Sequence, residues 1–188
     1  MEMCAFIGKS HEFFMNLKKA GTKIKKNVAN ADFEKLMEFE ITIPENFDFD
    51  AFRFENKKGF CYSEPALIGK NFKSNISSEV GKKKIVEIYQ PKRKKTSEDC
   101  LNFIAGQNGQ LPNVQGLAMV WQQAKEKLPQ EIWIIGFDQK ENLFRDSGGR
   151  HRVPNLYQFS DGDWYFHLGY FERDCSADHC VLFFRDCA

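Results

Sequence analysis

From Ile132 to Ala188 the chain alternates short aromatic-rich apolar segments with turn-forming clusters, and this regular punctuation allows little besides sheet. The candidate strands are Ile132–Phe137, Leu143–Arg145, Arg152–Phe159, Trp164–Tyr170 and Cys180–Arg185. The breaks fall at Ser147-Gly148-Gly149, at Ser160-Asp161-Gly162-Asp163 and between Cys175 and His179. Such spacings predict an antiparallel β-meander. Ile132–Phe137 is apolar on both faces, so it is expected to be central and covered on each side.

The helix that covers it is legible just upstream. Leu117, Val120, Trp121, Ala124 and Leu128 recur at helical spacing from about Asn113 to Leu128, where Pro129 ends the run. A shorter helix, near Glu98–Ile104, is expected behind a Ser97 cap.

The N-terminal half reads less regularly. Ser10 can cap a helix to about Lys19, with Phe13, Phe14 and Leu17 on one face. Gly21 interrupts it, and a second helical stretch is expected over Ala31–Met37, followed by a strand Phe39–Ile43 that stops at Pro44. Phe47 and Phe49 share one phase of a two-residue repeat while Phe52 and Phe54 share the other, which calls for a bulge near Asp50-Ala51. A hairpin is expected around Asn56-Lys57-Lys58-Gly59. Ile68 to Lys82 reads as loop and Lys84–Tyr89 as strand.

The fold class is therefore α+β: N-terminal helices and a β-hairpin, then an amphipathic helix packed on a C-terminal antiparallel β-meander. The chain divides into residues 1–90, a basic linker at 91–96 and residues 97–188, and the parts can equally form one single domain. With 188 residues, 42% of them hydrophobic and 19 of them Phe, a sizeable core is available without staples.

The formal net charge of +1 hides an asymmetry. Residues 1–99 carry 19 Lys/Arg against 15 Asp/Glu, and residues 100–188 carry 8 against 11. Lys82-Lys83-Lys84 and Lys92-Arg93-Lys94-Lys95 are runs that can contact phosphates or simply stand solvated. Charged and polar residues through Met1–Lys19 interrupt any secretory signal, so the expectation is a soluble, cytoplasmic protein with Cys4, Cys61, Cys100, Cys175, Cys180 and Cys187 as free thiols. No membrane span is expected.

Three constellations carry possible chemistry. Cys175, His179, Cys180 and Cys187 hold metal-ligand types, but adjacent His179 and Cys180 point to opposite sides of a strand and the spacing is unlike a zinc knuckle. No metal and no cofactor is expected. Arg150-His151-Arg152 follows the Ser147-Gly148-Gly149 turn, and Arg145 ends the strand before it. Pairing across that turn would bring Arg145 near Arg152, so Arg145, Arg150, His151 and Arg152 form the expected ligand-binding set for a phosphate or carboxylate. The competing reading is a polar hairpin end with its arginines paired to Asp138, Glu141 or Asp146.

Third, His11, His151, His167 and His179 can titrate near neutrality, and a histidine with an arginine and Glu172 or Asp163 could cleave phosphodiesters without metal. Helices followed by an antiparallel sheet, with Asp178-His179 opening its last strand, resemble small microbial ribonucleases in outline; one dipeptide and an element order assign no residue a role. The sequence holds no phosphate loop, no Gly-x-Ser-x-Gly elbow and no His-Glu-x-x-His helix, and Asp161-Gly162-Asp163 is too short for a calcium loop.

The reading that follows is a small binding or interaction protein recognising an acidic or phosphate-bearing partner, ligand or protein, with nucleic acid among the candidates. The alternative is a metal-free nuclease or related hydrolase using His151 or His179 with Arg152 and a carboxylate.

Overall fold

The computed structural model describes residues 31–73 and 80–187. The expected Ser10–Lys19 helix, Cys4, His11 and Gly21 lie outside the described residues, as does part of the Ile68–Lys82 loop.

Eight strands form one mixed sheet. At one side β1 (Phe33–Thr42) lies antiparallel to β3 (Lys83–Pro91), which is antiparallel to β8 (His179–Asp186). β4 (Trp133–Ile135) runs parallel to β8 and antiparallel to β6 (His151–Gln158), and β6 is antiparallel to β7 (Trp164–Tyr170). Two short strands finish it: β2 (Tyr62–Ser63), parallel to the outer edge of β7, and β5 (Phe144–Arg145), which pairs with β6.

The fold is α+β, but the C-terminal strands are not a simple antiparallel meander. β6 and β7 form the expected hairpin, whereas β8 leaves β7 and enters the middle of the sheet between β3 and β4. The physical reason is the unbroken buried run Cys180–Phe184. A strand apolar on both faces is stable only where both faces are covered, which excludes the edge position a meander would give it.

Strands from both halves of the chain share this sheet. The basic stretch between them runs directly from β3 into a helix, with Lys92 N donating to Asp32 O and Lys95 exchanging backbone hydrogen bonds with Cys175. Arg93 and Lys95 both meet Asp32, and Lys94 meets Asp174 at 2.8 Å. In the other run Lys84 is buried, its Nζ 2.6 Å from Asp186 and 2.8 Å from Gln110. Lys84, Arg93, Lys94 and Lys95 thus close on local carboxylates.

Two N-terminal expectations are overturned. The expected helix over Ala31–Met37 does not continue past Ala31: Phe33 opens β1, and a bulge between Lys35 and Met37 shifts the strand's phase. Phe47–Phe54 is not strand either, because Asp48 caps α1 (Phe49–Glu55) by accepting from Asp50 N and Ala51 N. Phe49 and Phe52, three residues apart, are then buried together while Phe54 is left 83% exposed. The Lys57-Lys58-Gly59 stretch is a turn of 3-10 helix, so the N-terminal hairpin is absent among the described residues.

Two further helices cover the sheet. α2 (Ser97–Gly106) starts one residue earlier than expected, because Thr96 and Asp99 form a reciprocal capping box. α3 (Asn113–Ala124) is initiated by Asn113, whose Oδ1 accepts from Gln115 N and Gly116 N. Gly116 permits close docking, since a Cβ there would stand 2.8 Å from the Phe184 ring.

One face of the sheet carries Val86, Ile134, Leu156, Phe166, Leu182 and Phe184, covered by α3 and α1 through Leu117, Val120, Trp121, Phe49 and Phe52. The other face is covered by α2 over part of its width, where Cys100, Phe103 and Ile104 meet Ile135, Val181 and Phe183. Each fully buried large apolar side chain contributes about 1.5–3 kcal/mol. No helix among the described residues is long and apolar enough to cross a membrane.

Candidate functional site

The half-covered face defines the site. Along β6, Val153, Asn155 and Tyr157 point to the α2 side, because alternate residues share a face. Their cross-strand neighbours on β7 are Gly169, His167 and Tyr165. β4 adds Trp133 and Ile135 to the same face, with Ile135 opposite Asn155. Val153 and Ile135 are sealed in the core under α2, Asn155 is buried beside them, and beyond it Trp133, Tyr157, Tyr165 and His167 are only partly buried.

That outer region is aromatic. Ring centroids lie 4.7 Å apart for Trp133 and Tyr157, 4.8 Å for Tyr157 and Phe159, 4.7 Å for Phe159 and Tyr165, and 5.4 Å for Tyr62 and Tyr165. Where this platform meets α2 and the chain between β7 and β8, a recess of about 170 Å³ opens. Trp133, Asn155 and His167 line its sheet side, and Ser97, Arg173 and His179 line its rim.

Asn155 is the unusual residue here. It is 7% exposed, and its Oδ1 accepts no hydrogen bond among the described residues. A buried amide oxygen without a donor costs on the order of 1–3 kcal/mol. Such a group in a polar recess marks a place that a ligand or a bound water completes.

The electrostatics are mixed. Burial holds the His167 imidazole below its ordinary pKa; Glu64, 3.8 Å from Nε2, works against this, while Arg152 and Arg173 add to it. Asp174 is taken up by Lys94. Asp178 bonds Ser176 Oγ and, at 2.7 Å, His179 Nδ1, and the Ser176 hydroxyl is the main cause of its lowered pKa. The Arg173 guanidinium lies 5.9 Å from the Tyr170 ring centre and has no carboxylate partner among the described residues. The N-terminal end of α2 reaches the rim through Ser97, whose hydroxyl donates to Arg173 O, and its first turn carries the carboxylates Glu98 and Asp99.

The expected set Arg145, Arg150, His151 and Arg152 sits at the far end of the β6–β7 hairpin. Arg145 faces His151 across β5–β6, and Phe144, not Arg145, faces Arg152. Arg150 Nη2 is 3.0 Å and Arg152 Nη1 3.4 Å from Asp146 Oδ2, and both guanidinium groups lie 4.3 Å from the Tyr170 ring centre. Burial opposes ionisation of Asp146, yet hydrogen bonds from Arg150 and the Gly148 N–H hold its carboxyl below the usual range. Arg152 Nε also donates to Leu168 O at 3.0 Å. That carbonyl lies on the outer edge of β7 just past the end of β2, so Arg152 closes an open sheet edge. Arg145 is exposed and makes no ion pair among the described residues.

The histidines do not converge on one site. His179 pairs with Trp133, and Trp133 stands level with Tyr157. His151 lies six residues further along β6 from Tyr157, about 20 Å away at strand rise. His151 Nδ1 is held by Glu172 at 3.0 Å. His167 and His179 line the recess, while Arg152 and His151 belong to the hairpin end.

The thiols are likewise dispersed in role. Cys100, Cys175 and Cys180 are buried and Cys61 is exposed; no group of three or more His, Cys, Asp or Glu among the described residues could hold a metal ion.

Trp133, Asn155 and Arg173 were not singled out by the sequence. The available signal was Asn155 itself, a polar residue on the inward phase of a strand whose neighbours on that face are Val153 and Tyr157. Comparison with protein-family models, with curated proteins and with solved structures finds no match to this chain.

Proposed function

We propose that this chain is a binding protein, and that the recess beside α2 takes the acidic or phosphate group of its partner. One observation carries the reading: Arg173 stands at the rim without a carboxylate, while Arg150, Arg152 and Lys94 around it are each closed on one. His179 stands on the same rim. The arginine hairpin end takes a supporting part. Arg150 and Arg152 brace the Tyr170 ring, and Arg145 leaves one exposed guanidinium for a partner larger than the recess.

Calorimetric titration with inorganic phosphate and with ribose 5-phosphate at low salt tests the reading. Arg173→Ala is expected to weaken binding by roughly ten- to a hundredfold, the worth of a charge-assisted hydrogen bond. Loss of binding in Arg145→Ala/Arg150→Ala/Arg152→Ala with Arg173→Ala unaffected would move the site to the hairpin end, and no binding of either probe would end the proposal. The hydrolase alternative has a separate assay: labelled RNA left intact in EDTA by wild type, with His179→Ala identical, removes it.

A further inference from the structure

We infer that the partner's group next to the anion is a planar nitrogen heterocycle, so that the recess is a nucleotide site: the ring enters against Asn155 and Trp133, and the phosphate stays at the Arg173 rim. This inference rests on the anion reading above for the phosphate and on separate observations for the ring.

Three observations point to a ring. The recess holds about 170 Å³, and an apolar cavity of about 150 Å³ suffices for one benzene-sized ring. Its walls are ring-bearing: Trp133, Phe137, His167 and Tyr170 line it, with the Trp133 centroid 5.8 Å from His167. A flat guest can stack on such a wall, and stacking on an aromatic side chain is worth about 1–3 kcal/mol per base. The aromatic series continues outward through Phe159 and Tyr165, which gives a second ring-sized platform beyond the recess.

The third observation selects nitrogen heterocycles from other rings. Asn155 presents an amide whose oxygen is buried without a donor, and a primary amide offers one acceptor and one donor side by side. Nucleobase edges offer the matching donor–acceptor pair, as adenine does to asparagine through N6 and N7. A purely hydrocarbon guest would leave the Asn155 oxygen unpaired, whereas a nucleobase with an exocyclic amine brings the donor it lacks. Gly169 keeps the amide in place: a Cβ there would stand 2.7 Å from Asn155 Nδ2, so no side chain can occupy the space it uses.

The acidic groups nearby set a limit on guest size. Asp174 and Asp178 stand at the rim, each already paired, and Glu64 lies beside His167. A mononucleotide's single phosphate requires only Arg173, whereas a long polyanion would also have to meet these carboxylates. The site therefore suits a mononucleotide rather than a nucleic-acid strand.

The test is calorimetric titration of the whole chain with AMP, GMP, CMP, UMP, adenosine and ribose 5-phosphate, with tryptophan emission recorded in parallel. Trp121 and Trp164 are buried at 2% and 4% exposure, so ring stacking is reported by Trp133. At least one nucleotide is expected to bind about tenfold or more tighter than ribose 5-phosphate and to quench emission. Asn155→Leu is expected to abolish that preference, and Trp133→Leu, a second variant at the half-exposed end of β4, to remove both the quench and the preference. Ribose 5-phosphate binding as tightly as all four nucleotides overturns the ring and leaves the anion site standing. Adenosine binding as tightly as AMP overturns the anion reading and leaves the ring. A preference that survives in folded Asn155→Leu also overturns the ring assignment, and binding of none of the six overturns both.

Discussion

The side-chain amide of Asn155 occupies the space that a side chain on Gly169 would need. A Cβ at position 169 would stand 2.7 Å from Asn155 Nδ2, closer than carbon and nitrogen approach without displacement. The contact falls on the end of a side chain, with the nearest backbone atom, Val153 O, 3.8 Å away, so it is the Asn155 amide that must give way. Gly169→Ala is therefore expected to destabilise the fold by about 1 kcal/mol, the low end of the overpacking range, by displacing that amide. Urea denaturation measures it, and an unchanged midpoint would contradict the packing described.

His167 gives the fold a pH dependence with a definite sign. Burial holds its pKa below the ordinary value of 6.5, so the unfolded chain takes up a proton at higher pH than the folded one. Between those two values the unfolded state binds more protons, and stability rises with pH. Its contribution is full above about 6.5 and is lost as pH falls through the folded value. Denaturation at pH 7.5 and pH 5 should show wild type losing more stability than His167→Gln. Equal losses in the two proteins would remove the assignment.

Two phenylalanines near α1 should behave oppositely. Phe166 is fully buried against Phe49 and Phe60, and its replacement by Ala should cost about 3–5 kcal/mol. Phe54 is 83% exposed, and Phe54→Ala should stay within about 0.5 kcal/mol of wild type. Thermal or chemical denaturation of the two variants checks the helical assignment directly, because a strand over Phe47–Phe54 would not bury Phe49 and Phe52 while releasing Phe54.

Thiol labelling should follow the same map. Burial raises the Cys100 and Cys180 thiols well above their usual pKa, with a hydrogen bond between Cys100 and Cys175 the largest cause for Cys100. Peptide mass spectrometry after brief alkylation at neutral pH should find Cys61 modified first and Cys100 and Cys180 protected until the chain unfolds. Labelling of Cys180 as fast as Cys61 would contradict its place in the central strand.

What the sequence disclosed follows from how each segment meets its neighbours. β7 was legible because its burial alternates from face to face, and the Asp161-Gly162 turn places β6 beside it. α3 was legible from its apolar stripe. β1 was not, because the bulge between Lys35 and Met37 shifts the side-chain phase and spaces Phe33, Leu36 and Met37 as a helix would. The partners of β8 were hidden for another reason: a run apolar on both faces demands a central position without saying between which strands. At the site, the arginines near the turn stood out by charge, yet Asp146 takes up two of them. Asn155 and Trp133 come together only through the β4–β6 pairing, which local pattern does not encode.

The most direct test of the recess as the binding site is an amide and indole nitrogen–proton NMR spectrum recorded while AMP is added. The largest shifts should fall on the Asn155 side-chain NH2, the Trp133 indole N–H and the backbone of Gly169 and Arg173. Shifts confined to Arg145 through Arg150, or none with AMP and none when GMP, CMP and UMP are added in turn, would contradict the account.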